Sequence, residues 1–94
     1  MSAKYYLMPC ERQNQKSFGR NAVVEVMDDG TKVLYSCMTK VAKIVHGRYI
    51  CRLCDHIKKY SSPTTMRHLV AFCVHNGLNP ITKKAWNAMP TISW

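Results

Sequence analysis

The apolar positions along the chain change their period twice, and those changes predict the elements. Tyr5, Tyr6 and Leu7 stand among polar residues and predict an early strand followed by a loop within residues 1–20. Residues 22–27 (AVVEVM) form a β-branched run that suits a strand, and Asp28-Asp29-Gly30 after it is a turn signal with Gly30 free to take positive φ. Residues 31–37 (TKVLYSC) then alternate. They place Val33, Tyr35 and Cys37 on one face and Lys32, Leu34 and Ser36 on the other. This is the pattern of a β-hairpin. Because Cys37 shares a face with Val33 and Tyr35, it is expected to pack in the core, and Cys10 is expected to be a small buried apolar residue as well. Val41 to Val45 and Tyr49 to Leu53 predict a second strand pair across His46-Gly47.

Past the polar stretch from Asp55 to Ser62 the period lengthens. Ser62-Pro63 is a helix start, since a serine caps open amides and proline is preorganised for the first helical position. Asn76-Gly77 is a stop signal, so a helix is expected over Pro63 to His75. Met66, Leu69, Val70 and Cys73 fall at i, i+3, i+4 and i+7 and are expected to face the sheet. A short second helix is expected over Thr82 to Met89, between Pro80 and Pro90. No repeat or low-complexity segment interrupts the chain. The expected fold is one α+β domain over residues 1–94, with a small antiparallel sheet, one main helix and a short C-terminal helix.

Charge narrows the functional classes. Fourteen Lys and Arg oppose five Asp and Glu, a formal net charge of +9 over 94 residues. Such a chain is drawn to anionic partners, and it does not act as an acidic mimic of DNA. Five carboxylates give no convincing acid/base pair, and no glycine-rich phosphate loop is present. A binding protein is therefore expected rather than an enzyme. Met1 to Cys10 contain no apolar run fit for a signal peptide, and no stretch approaches the length of a membrane span. With five cysteines, an odd number, the expected setting is a reducing cytoplasm in which thiols stay free or hold metal.

The cysteine spacing points to zinc. Cys51-Arg-Leu-Cys54 resembles the two-thiolate knuckle of a zinc finger, and His68 and Cys73 follow on the expected helix. Four protein ligands close the tetrahedron, so the expected ion is structural, a zinc staple for a small fold. One geometric strain is visible in advance. Side chains five apart on a helix diverge by about 140°. His56 and His75 are therefore the alternative ligands.

Four segments together resemble small phage-encoded proteins. They are Asn14-Gln-Lys-Ser-Phe18, Asp28-Asp-Gly30, Ser36-Cys-Met-Thr39-Lys-Val-Ala-Lys-Ile44 and Tyr60-Ser-Ser-Pro-Thr-Thr-Met-Arg-His68. The resemblance runs from about Asn14 to Asn87, and the chain departs from many such proteins at its Cys51/Cys54 knuckle. A small phage protein with a structural zinc looks most like a type II-A anti-CRISPR protein. That resemblance implies a partner, the host RNA-guided type II CRISPR nuclease with its guide RNA, met in the bacterial cytoplasm and blocked in target DNA loading or cleavage. On a +9 chain the docking surface would be an acidic protein patch or the guide's phosphates. Lys58, Lys59, Arg67, Lys83 and Lys84 are the candidate contacts. The alternative from a different class is a basic, zinc-finger-like nucleic-acid-binding module, a phage transcription regulator. Against it, a recognition helix needs base-reading residues on its exposed face, and helix 63–75 offers Arg67 and His68 and then Val70, Ala71, Phe72 and Val74.

Overall fold

A computed structural model of the chain describes residues 3–10, 13, 16–36, 39–45, 49–53, 63–89 and 91–92. Five antiparallel strands follow one another as a meander: β1 (Ala3–Tyr6), β2 (Ala22–Val26), β3 (Lys32–Ser36), β4 (Thr39–Val45) and β5 (Tyr49–Leu53). Helix α1 (Pro63–His75) and the short α2 (Lys83–Ala88) come next. A two-residue strand, β6 (Thr91–Ile92), then joins the far edge parallel to β5. The expected α+β architecture is therefore present. The parallel β6 is an addition that two residues of sequence have no period to announce.

Local chemistry sets the ends of these elements. In the β2–β3 loop the Met27 N–H donates to the Thr31 carbonyl at 2.8 Å, and the Thr31 N–H donates to Asp29 Oδ1 at 2.9 Å. Gly30 sits there at φ +88°, a conformation other residues adopt only with strain. Helix α1 ends in a Schellman motif. The Leu78 N–H reaches the Cys73 carbonyl at 2.9 Å, the Gly77 N–H reaches that of Val74 at 3.1 Å, and Gly77 takes φ +74°. For α2, Thr82 Oγ1 accepts from the Ala85 N–H at 3.1 Å.

A β-bulge interrupts the β3–β4 ladder. Leu34 pairs with Ala42, but the next residue, Tyr35, pairs with Lys40, which leaves Val41 as the extra residue. Both Val41 and Ala42 are consequently buried in the core, and Lys40 is carried to the side of the sheet where Tyr35 lies.

The helix covers the face of β3 that carries Lys32, Leu34 and Ser36. Leu69, Ala71 and Phe72 of α1 share one cluster with Ala22, Val24, Leu34, Ala42 and Ile44, and Trp86 of α2 buries its indole in the same cluster. Lys32 Nζ donates to Asn76 Oδ1 at 2.8 Å and fastens the end of α1 to β3. The buried face of α1 is rotated from the one that apolar spacing alone predicts. Met66 and Val70 are half-buried, while Thr65, His68 and Phe72 are buried. The rotation brings two polar side chains inward, and both find a partner in β3. Ser36 Oγ lies 2.7 Å from His68 Nδ1 and 3.3 Å from Thr65 Oγ1, and the Phe18 ring meets the imidazole edge-on at 4.7 Å. A serine hydroxyl has one proton and two acceptor lone pairs, so Ser36 donates to at most one of these neighbours. No buried polar side-chain atom among the described residues is left without a partner.

Burial, and secondarily the charge of Arg67, hold the His68 imidazole below its ordinary pKa. A base with a depressed folded pKa binds fewer protons folded than unfolded. Its contribution is complete above its unfolded value of about 6.5 and is lost as pH falls through the folded value. The melting temperature should therefore drop below about pH 6.5, and His68→Gln should flatten that part of the profile. Ser36→Ala, which strands the buried ring nitrogen, should cost about 1–3 kcal/mol in denaturant titrations at neutral pH.

Candidate functional site

Cross-strand register assigns the residues of the sheet to its two sides. Lys4 stands opposite Glu25, Glu25 opposite Val33, Val33 opposite Lys43 and Lys43 opposite Cys51. A second row on the same side runs Tyr6, Val23, Tyr35, Lys40. Directly opposed residues point the same way, so both rows face away from α1. This outer face carries aromatic and cationic side chains together.

At one end of it is an open concavity of about 540 Å³ lined by Lys4, Tyr5, Tyr6, Arg20, Val23 and Tyr35. Tyr35 organises the floor. Its hydroxyl donates to Glu25 Oε1 at 2.8 Å, and the ammonium groups of Lys4 and Lys40 sit over its ring at 5.6 and 5.9 Å from the centroid. Both distances fall within cation–π range, so one ring holds two like charges near each other. The bulge at Val41 makes this possible, because uninterrupted alternation would pair Val41 with Tyr35. Burial first, and then the hydrogen bond and charge of Glu25, push the Tyr35 phenol up to about 12. Burial raises Tyr5 as well. Both phenols thus stay neutral at physiological pH and add no negative charge to a basic groove. Tyr6 is 55% exposed and offers a free aromatic surface at the rim. Acidic residues gather at the other end of the sheet, where Asp28 and Asp29 line a separate hollow with Lys43.

The residues expected to hold zinc are distributed differently. Cys51 is half-buried on the outer face of β5, since its neighbour Ile50 packs against the core. His68 is on the opposite side of the sheet, engaged with Ser36. Cys73 is fully buried, its thiol pushed up by burial and partly offset by the Ile81 N–H that donates to it. The divergence expected for two residues five apart on a helix is thus seen directly, in one side chain turned to β3 and the other to the segment before α2. Among the described residues no three His, Cys, Asp or Glu side chains converge on one point. Cys54 and His56 lie outside the described residues. His75 Nε2 makes a 2.8 Å hydrogen bond with the Met8 carbonyl. The described donors therefore do not fit one ion held by Cys51, His68 and Cys73 together.

Of the other candidates, Cys37, Lys58 and Lys59 lie outside the described residues. Arg67, Lys83 and Lys84 are exposed, but on the helices and away from the Tyr35 concavity. Cys10 is buried, as its chemistry suggests. On the Val33/Tyr35 side Val33 is fully buried and Tyr35 half-buried, but α1 packs on the opposite side, with Leu34 and Ser36. What was missed is the cluster of Lys4, Arg20, Tyr35 and Lys40, whose members come from four separate segments. Its only sequence signal is the interleaving of Lys and Tyr on β1 and β3. No helix among the described residues is long and apolar enough to cross a membrane.

Residues 7–88 match the model of a family of unknown function, DUF8033. No curated protein and no solved structure matches the chain.

Glu25→Gln removes the charge that raises Tyr35 and leaves only a neutral, weaker amide acceptor for its hydroxyl. Its phenol should then titrate at lower pH, while remaining above the ordinary value of 10 because burial persists. Ultraviolet titration against a Tyr35→Phe control measures the change.

Proposed function

The chain belongs to the DUF8033 family, and we propose that it is a non-catalytic binding protein whose outer sheet face takes single-stranded nucleic acid. The observation that carries this reading is the convergence of three cations, Lys4, Arg20 and Lys40, with Tyr5, Tyr6 and Tyr35 at one open concavity. A single strand offers a phosphate chain to the cations and unstacked bases to exposed rings, and proteins that bind it without sequence preference combine these two elements. Duplex suits this face less well, because its bases are stacked inside and Tyr6 would meet only backbone. Helix α1 is not the reader. Its buried stripe serves the core, and its fully exposed positions are Pro63, Thr64, Arg67 and His75.

The inhibitor reading rests on a different observation, the likeness of the Asn14–Phe18, Ser36–Ile44 and Tyr60–His68 segments to phage proteins. Under it the chain is an anti-CRISPR protein of the host cytoplasm and the same basic face meets the guide RNA of the type II nuclease. Such a protein co-migrates with the nuclease–guide complex and suppresses its DNA cleavage. The zinc staple of Cys51, Cys54, His68 and Cys73 is a separate proposal from spacing, and it requires Cys51 and His68 to leave the opposite sides of the sheet that they occupy here. About one zinc per chain after purification without added metal supports it. Metal-free protein whose melting temperature chelator leaves unchanged rejects it.

Fluorescence anisotropy with labelled single-stranded oligonucleotides tests the main proposal. Binding through three cations should give a log–log salt slope of about −2. The triple variant Lys4→Gln/Arg20→Gln/Lys40→Gln should lose binding while still melting in one cooperative transition, and Tyr6→Ala should weaken it by about 1–3 kcal/mol. Absence of binding at about 50 mM salt, or indifference to the triple variant, would sink the proposal.

A further inference from the structure

Strand β1 is the first strand of the sheet, and all four of its residues are exposed. Among the described residues no strand pairs with its outer side. In the β1–β2 ladder the Leu7 N–H donates to the Ala22 carbonyl at 2.9 Å, and Leu7 stands opposite Ala22 in the register that pairs Ala3 with Val26. Hydrogen-bonded and non-hydrogen-bonded pairs alternate along an antiparallel ladder. Ala3 and Tyr5 therefore turn their N–H and C=O groups toward β2, as Leu7 does, and Lys4 and Tyr6 turn theirs outward, away from the sheet.

We propose that β1 pairs antiparallel with β1 of a second copy of this chain, with Tyr5 of each copy on the two-fold axis. An antiparallel two-fold pair has its axis perpendicular to the sheet, so opposed residues share parity and two registers are central to this strand. One puts Lys4 on the axis and sets two ammonium groups opposite each other, a like-charge pair that disfavours it. The other puts Tyr5 opposite the partner's Tyr5 as a non-hydrogen-bonded pair. It sets Lys4 opposite the partner's Tyr6, and Tyr6 opposite the partner's Lys4. Both of these are hydrogen-bonded pairs, so every outward N–H and C=O of Lys4 and Tyr6 is satisfied, four bonds in all. A lysine then lies beside a tyrosine across the junction on the outer face, twice. The complementarity is between the strand and itself, which is why the occupant is a second copy. The two-fold closes the assembly at a pair, since each copy spends its one β1 edge on the other.

Pairing about that axis keeps both outer faces on the same side of one continuous sheet. The two Lys4/Tyr35 concavities then flank the junction. The pairing itself stands whether or not they hold nucleic acid.

Sedimentation equilibrium on the full chain tests the pairing. Wild type should approach twice the chain mass of 10.8 kDa as concentration rises. Tyr5→Glu and Tyr5→Lys, each setting like charges on the axis, should remain monomeric, and an equimolar mixture of the two should recover the dimer. Tyr6→Pro, which deletes an outward N–H that β2 does not use, gives a second route to monomer should either charge variant fail to fold. A wild type that stays at 10.8 kDa up to about 1 mM overturns the proposal. So do charge variants that still dimerise singly, or a mixture that stays monomeric.

Discussion

The packing of α1 on one side of β3 is the constraint from which the rest of the molecule follows. Strand side chains alternate, so choosing Leu34 and Ser36 for the interior commits Val33 and Tyr35 to the other face, and the register then commits every neighbouring strand. Leu34 supplies the apolar contact with Leu69 and Phe72 of the helix. Ser36 supplies specificity, since it is the partner that lets Thr65 and His68 be buried without an unpaired polar atom. A helix displaced along this face would present those polar groups to Leu34, which offers no side-chain hydrogen bond.

Once the interior is settled, the outer face is free to carry charge, and it does so unevenly. The acids of the β2–β3 turn sit at one end, and Lys4, Arg20 and Lys40 collect at the other. The bulge at Val41 links the two sides. It adds an apolar residue to the core and in the same step rotates Lys40 over the Tyr35 ring. Local irregularity in a strand has here both a packing role and an electrostatic one.

The hairpin at Asp28-Asp29-Gly30 and the limits of α1 were legible because they depend on short-range chemistry: a turn residue tolerant of positive φ, a proline at the start and Asn76-Gly77 at the end. The choice of inner face was not. Lys32, Leu34 and Ser36 look less apolar than Val33 and Tyr35, and only the hydrogen bonds from α1 make the polar alternative favourable. On α1, Leu69 and Cys73 face inward as the apolar spacing predicts, but that spacing carries no term for a histidine that finds a serine 32 positions away. The cation–tyrosine cluster depends on register across four strands and on a bulge, neither of which a single sequence displays. The cysteine spacing illustrates the opposite hazard. Cys51 and His68 are well placed in sequence for one ion, yet the sheet stands between them.

Helix α1 seals the Ser36 side of the sheet, and the proposal is that the Tyr35 side takes the nucleic acid. Amide and side-chain NMR shifts, followed while a single-stranded oligonucleotide is titrated into labelled protein, test it most directly. Perturbations centred on Lys4, Tyr6, Val23, Tyr35 and Lys40 are expected, with Thr65, His68 and Phe72 unmoved. Perturbations centred instead on Arg67 and His75 of α1, with Tyr35 silent, would contradict it.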